Sequence, residues 1–530
     1  MKSVVRCIHL GIGNLGATHM IRTLVFSLAL LPLAGYAAET GTSSSIADAA
    51  RSRDMATVRS LLKPGVDVAS VNAPGFDGTP ALHWVVLVDD VATAKLLLGA
   101  GADPKLANRL GVTPLGVAST NGNAEMIRVL VDAGADPNAL DTAGEPPLWA
   151  AVRSGKLDAV TTLADRGASL AFKDSVQQTT LMLAVRENHP DIVKYLVDKG
   201  TDVNVKTRVG QTPGWTLPNS VAGFGHGIGI VRGGLPDRGS RYLTTGGLSA
   251  LMYAARDGRT ESAKILVAAG ADIKQTEPNG ITPLLMAITN DQMETARFLI
   301  DKGSDINVVD WYGRTPLWAA VEARNMDVDN ATFKNGVNRE PVLELIKVLL
   351  DKGANPNMRT KEVPPIRRFI LPTTGSLEWV DFTGMTPFLF AARAGDVTVM
   401  KLLIAHGADP KIPTFGGTTA LMAAAGINWV VDQTFDEGQA QLLEAVKLCV
   451  ELGMSVNDVN SMGLTALDGA ANRGSDEIIK YLVEKGAKLD VKDKEGRTPL
   501  NWAEGVFLAT HPGQPKPSSV ALIKKLMGTP

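Results

Sequence analysis

Apolar positions along this chain recur in short bursts at helical spacing. In GVTPLGVASTNGNAEMIRVLVDAGADPNALD, Leu115, Val117 and Ala118 mark one small-residue face, NGN interrupts it, and Met126, Ile127, Leu130 and Val131 mark a second apolar stripe. Thr113 is placed to cap the first helix. Pro114 suits that helix's first position, because its missing N–H has no partner there in any case. Gly134 ends the second helix, where a residue without a side chain takes the left-handed conformation at least cost. The pattern predicts two short helices followed by an extended connector.

That unit repeats. Segments such as GVTPL, GITPL, GRTPL and GMTPF recur, and the position of their threonine falls at 80, 113, 146, 179, 212, 249, 282, 315, 386, 419, 465 and 498, mostly 33 apart. One such unit cannot bury its apolar face alone, so neighbours must stack and the core must grow in one dimension. The period, the Thr-Pro-Leu opening and the endings GADPN (134–138), GTDVN (200–204), GSDIN (303–307) and GANPN (353–357) resemble the ankyrin-repeat family. The resemblance covers roughly residues 45–530 and implies an all-α solenoid of about 11–12 helix-pair repeats whose connectors project as hairpin fingers beside a concave helix face. Residues 43–68 lack the opening and read as an N-terminal capping unit, and RTPLNWAEG onward as the C-terminal one. The family's frequent histidine after the leucine survives only at His83. Its implied role is a hydrogen bond between neighbouring hairpins, so most fingers here must be held by other contacts.

Breaks in the period divide the chain. Repeats run over 43–213, 248–360 and 382–530, separated by hairpin insertions at 214–247 and 361–381, while 325–340, 427–438 and 507–519 interrupt helix pairs. Both hairpin insertions carry apolar residues, among them Ile228, Tyr242, Ile366 and Phe369, and should pack against the groove rather than dangle. Ahead of the repeats, TLVFSLALLPLAGYA follows Arg22 and has the length of a secretory leader, with cleavage expected near Ala37 and Met20 as an alternative start. The expectation is an exported protein of a bacterial periplasm, with no stable membrane span after cleavage. Beyond the leader only Cys449 remains, within a helical stripe, which leaves no internal disulfide and suits a buried small hydrophobe.

The net charge of -2 includes the leader's Lys2, Arg6 and Arg22, so the remainder is more acidic still. No basic stripe emerges, which disfavours a nucleic-acid partner. The glycine-rich FGHGIGIVRGGLPDRGSRYLTTGG at 224–247 lacks the lysine of a phosphate loop and the strand–turn–helix context of a dinucleotide site. Backbone N–H groups at Gly233 and Gly234, with Arg232, Arg238, Arg241 and His226, form the alternative reading, a loop closing on a small anionic molecule. The five histidines beyond the leader show no metal-ligand spacing, and Asp136, Asp202 and Asp305 sit in turns whose backbone they can satisfy. No catalytic or cofactor-binding set emerges. Trp84, Trp149, Trp318 and Trp502 lie within first helices and read as core, whereas Trp311, Trp379 and Trp429, with Arg367, Arg368 and Phe369, are the candidate partner contacts. The expected function is a protein-binding or scaffold module. An enzyme or ligand-binding subunit built on the glycine segment, and a structural envelope component, are the alternatives.

Overall fold

A computed structural model describes residues 45–212, 243–325, 339–361, 380–429, 438–506 and 513–528. Among the described residues twelve helix pairs stack in succession, from Ile46–Arg51 with Met55–Leu61 to Pro499–Gly505 with Pro517–Leu526. Successive first helices pack side by side, and so do successive second helices. The expected segmentation appears at residue level in the third pair, Pro114–Asn121 and Ala124–Asp132. Thr113 Oγ1 accepts from Gly116 N at 3.1 Å, and Gly134 takes φ +103° beyond the second helix.

The repeated threonine position is the N-cap of the first helix at 113, 179, 282, 315, 386, 419, 465 and 498, and Ser249 takes its place at 249. Pro80 and Pro146 occupy it without a side-chain cap. Thr212 is the exception, lying in a strand. Inside these helices Ala118, Ala151, Ala184, Ala254, Ala287, Ala320, Ala391, Ala424 and Ala470 hold one register and are fully buried. A methyl group is what lets neighbouring helices approach closely, and a larger side chain there would overpack the seam.

Each finger is locked from within. Asn108 Oδ1 accepts from Leu110 N and Val112 N at 2.9 and 3.0 Å, and Asp141, Asp174, Glu277, Asn460 and Asp493 repeat this two-acceptor turn. Most adjacent fingers then share one backbone hydrogen bond, such as Arg208 N to Val176 O (2.7 Å), Trp311 N to Asn279 O (2.8 Å) and Phe415 N to Thr383 O (2.9 Å). Between fingers five and six the register brings Pro278, which has no N–H to give.

Asparagine side chains tie the units at the other end of the connector. Asn72, Asn138, Asn204, Asn307, Asn357 and Asn457 each donate to a glycine carbonyl of the next unit and accept a backbone N–H two residues beyond that glycine. Asn204 does this across the first insertion, reaching Gly270 O at 3.1 Å and Asp272 N at 2.8 Å.

The insertions leave the stack through closed bases. Gly210–Thr212 (β1) pairs antiparallel with Leu243–Thr245 (β2), with Gly210 opposite Thr245. Gly246, at φ +86°, follows so tightly on Arg208 O that a side chain would collide with it. At the second insertion Thr360 N donates to Met385 O (3.1 Å) and Gly384 N to Thr360 O (3.0 Å). Between the helices Pro316–Arg324 and Glu340–Asp351, buried Arg324 binds Asp396 at 2.9 Å and Arg339 O at 2.9 Å, while Arg339 Nε donates to Arg324 O. Asp396 also caps the following unit's second helix through Val399 N.

The Asn204 bridge is the asparagine tie at the joint where the finger register offers a proline. Asn204→Ala should destabilise the chain by about 1–2 kcal/mol and let the segments before 207 and after 249 unfold in separate urea transitions. Hydrogen exchange on the two segments reads this directly. Coincident transitions at an unchanged midpoint would show that helix packing alone carries the joint.

Candidate functional site

Most of the exposed large hydrophobic side chains among the described residues lie on or beside the fingers. Phe76, Trp311 and Phe415 stand two residues before their finger's glycine and are 76%, 47% and 61% exposed. Leu110, Leu140, Val176, Val209 and Val459 add to the row from other fingers. Arginines stack on several of these rings: Arg51 lies 4.1 Å above Phe76, Arg359 4.2 Å above Phe415, and Arg314 5.3 Å from the Tyr312 ring. Such stacking holds a guanidinium in place with its edge available to acceptors. Trp311 and Tyr312 meet edge to face at 5.0 Å. Phe382 occupies the same register but is fully buried, with Arg393 beside its ring.

Beside the fingers, the first helices carry a second row of cations at their C-terminal ends. Arg153 pairs with Glu145 (2.8 Å), Arg256 with Asp257 (2.7 Å), and Arg186 donates to Gln178 Oε1 (2.7 Å). Tyr253 lies between Arg186 and Arg256, and its burial holds the phenol above its ordinary pKa. Deeper in, Arg314 binds Asp310 at 2.7 Å and approaches Glu322 at 3.7 Å, all three being buried. The carboxylates compensate charge locally, while Arg186 has only the neutral amide of Gln178. These arrangements contain no nucleophile set against a base, and no group of His, Cys, Asp or Glu side chains among the described residues is arranged to hold a metal ion.

The histidine position of the first helices has diverged into several solutions. His83 Nε2 lies 2.8 Å from Val112 O of the next finger, the tie expected of it. Trp149 replaces it with an Nε1–H donated to Thr180 Oγ1 at 3.0 Å. Asp468 turns back instead, accepting from Thr465 N (2.7 Å) and Thr465 Oγ1 (2.8 Å). Burial drives His83 down to about 4 and Asp468 up to about 6, the latter reinforced by nearby Asp493 and opposed by Thr465 and Arg497. At the helix end His406, between Leu402 O and Asp351, is held above its ordinary value by the Leu402 carbonyl first.

A family model described as ankyrin repeats (three copies) matches residues 46–141, 133–207, 251–360, 337–433 and 437–505. The chain belongs to the ankyrin-repeat family. It is 27% identical over 117 residues to palmitoyltransferase AKR1 of Lachancea kluyveri, covering 22% of this chain and 15% of that one. It is 46% identical over 63 residues to an ankyrin repeat and LEM domain-containing protein 1 homolog of Caenorhabditis elegans, covering 12% and 8%. To the transient receptor potential cation channel subfamily A member 1 homolog of the same organism it is 27% identical over 191 residues, covering 34% and 15%. The chain thus spans a small fraction of the length of these relatives, and what it shares with all three is a stretch of chain shorter than its own stack.

Within the ankyrin stack, Trp311 stands on a fingertip and Trp429 at the opposite end of the first helix Ala420–Ala425, where Arg473 and Lys516 each lie 5.6 Å from its ring. Trp84, Trp149, Trp318 and Trp502 are buried, as core residues should be. Asp136, Asp202 and Asp305 each accept a backbone N–H two residues on, at 2.9 Å. Cys449 is fully buried, and that burial pushes its thiol up to about 12, leaving it inert at neutral pH. Arg367, Arg368, Phe369 and Trp379, and the glycine-segment residues His226, Arg232, Gly233, Gly234, Arg238 and Arg241, lie outside the described residues. Sequence reasoning missed Phe76 and Phe415. Their shared register with Trp311, two positions before the finger glycine, was the signal that would have found them.

His83 and Asp468 give the two ends of the solenoid pH responses of opposite sign. The His83 contribution is complete above its ordinary 6.5 and is lost as pH falls through about 4; the Asp468 contribution is complete below 3.8 and is lost as pH rises through about 6. Hydrogen exchange should therefore show the helix Ala81–Leu87 losing protection between pH 6.5 and 4 while Ala466–Arg473 gains it between pH 6 and 4. Asp468→Asn should abolish the second trend and spare the first. Parallel trends at both ends would refute the assignment.

Proposed function

We propose that this ankyrin stack is a non-enzymatic scaffold that holds a protein partner along its fingertips and the adjoining first-helix face. The observation that carries the reading is the row of exposed apolar fingertips, with Phe76, Trp311 and Phe415 at one register. Aromatic and arginine side chains are the usual anchors of protein interfaces, and a large apolar surface kept on rigid, internally locked turns costs little entropy to bind. The first helices supply a charge-balanced floor beside it, suited to fixing orientation. We place this activity outside the cytoplasm, on the strength of the leader-like run ending near Ala37 and the single buried cysteine. Recovery of a chain beginning near Ala38 from the periplasmic fraction is the result that reading requires.

The scaffold reading is tested by co-purification from the native host under gentle conditions, followed by native mass measurement. The triple variant Phe76→Ser, Trp311→Ser, Phe415→Ser should melt within a few degrees of the wild type, because these side chains are largely exposed. It should retain less than about a tenth of the stoichiometric partner protein, as expected when interface anchors are truncated. A partner bound equally well by the variant would move the interface elsewhere. A wild-type chain that retains only a small molecule would sink the scaffold reading.

A further inference from the structure

Three successive fingers bring two cations that lack a carboxylate partner among the described residues between two exposed aromatic tips, Trp311 and Phe415. Arg359 spends its guanidinium on backbone carbonyls, donating to Gly384 O (3.1 Å) and Pro413 O (2.7 Å) while covering one face of Phe415, and it meets no carboxylate among the described residues. Lys361, whose backbone N–H is tied to Tyr312 O at 2.8 Å, is exposed and likewise makes no ion pair among the described residues. Its stem passes close to Gly313, beside Trp311 and Tyr312. Several other cations on the fingers and first helices are neutralised, as Arg51 is by Asp77, Arg153 by Glu145, Arg256 by Asp257 and Arg314 by Asp310, while Arg109, Arg208 and Lys494 stand singly on their fingers without an exposed aromatic tip at each side. Of the carboxylates on these fingers, Asp310 is taken by Arg314, and Asp381 is engaged by Thr383 N and Thr383 Oγ1.

We propose that this patch, running from Trp311 through Lys361 and Arg359 to Phe415, docks an extended acidic segment of a partner protein that carries apolar side chains near its two ends. The proposal rests on the scaffold reading and names the chemistry of its partner. Trp311 and Phe415 stand two units apart, roughly 20 Å at about 10 Å per stacked helix pair, a span that about six extended residues cover. Carboxylates in the middle of such a segment face the two cations, one of which has its guanidinium fixed in direction by backbone and ring. Apolar residues at either end cover Trp311 and the open face of Phe415. A polyphosphate chain would satisfy the cations and leave both aromatic ends exposed, so a peptide is the better match.

The test is a selection of random dodecamer peptides displayed on phage, using the full chain, with the recovered peptides resynthesised and measured by fluorescence anisotropy. Peptides enriched in Asp and Glu together with Leu, Phe or Trp are expected. Their binding should weaken at least about tenfold in Lys361→Glu and in Phe415→Ala, and fall between roughly 50 and 500 mM salt. Both side chains are exposed, so unchanged melting of the variants establishes that folding is intact. Peptides without acidic bias, or acidic peptides indifferent to both substitutions, would overturn the patch while leaving a scaffold that binds elsewhere. Failure to enrich any peptide would count against the patch. A single-stranded oligonucleotide that binds as tightly as the best peptide and is lost in Lys361→Glu would reassign it to nucleic acid.

Discussion

A helix pair with one apolar face has no stable state by itself, and everything else in this molecule follows from how its neighbours cover that face. The seam between units is made of alanine methyls at one register of the first helices, from Ala118 to Ala470, so that backbones come close and the larger residues of the second helices fill the remaining space. The consequence is a core without a centre. Stability is a sum of local joints, and a defect in one joint is felt by its neighbours before it is felt by the whole chain.

That arrangement explains where foreign segments are tolerated. Breaks in the period enter at a connector or between paired helices, and at three of them the described residues close the stack beneath with polar contacts. The strand pairing of Gly210 with Thr245, the Thr360–Met385 bond and the Arg324–Asp396–Arg339 group serve this purpose at three sites. The third is the most demanding, since buried Asp396 meets two guanidinium groups and also caps a helix. Removing one member would strand charge in a low-dielectric seam, which typically costs several kcal/mol. Loop closure, by contrast, grows only slowly with length, so once the base is sealed further residues add little cost.

The fold was legible because its signals are local. A threonine cap, a proline behind it, small residues and a terminal glycine act within a few residues of one another, and their 33-residue recurrence turned weak preferences into a firm architecture. Thr212, at the right spacing but followed by the insertion expected at 214–247, opens no helix and lies in a strand, and the helix waits until Ser249. The site was less legible, because exposure is a tertiary property. Phe382 and Phe415 share a register, yet one is buried and the other open, and only the packing around each separates them. The acceptors inside the fingers, Asn108, Asp141, Glu277 and their equivalents, answer how fingers without the family histidine stay in place. Their periodic spacing was visible in the sequence, but their role required knowing that the chain doubles back within four residues.

Rigidity of the fingers is what connects the fold to recognition. An exposed phenylalanine on a loose loop would lose conformational freedom on binding and would also invite non-specific association. Here each aromatic tip sits on a backbone fixed by its own turn and its neighbours, and arginine lies over several of the rings, so the surface is ordered before any partner arrives. Local pairing of cations such as Arg153 with Glu145 and Arg314 with Asp310 lowers their attraction to arbitrary anions. At Arg359 and Lys361, two cations without a carboxylate partner among the described residues lie between aromatic tips, and that combination gives the patch its charge preference. A solenoid whose joints are short-range can therefore alter one patch of its surface with little effect on distant units, and that independence is the physical reason the same repeat supports proteins as different as those it resembles.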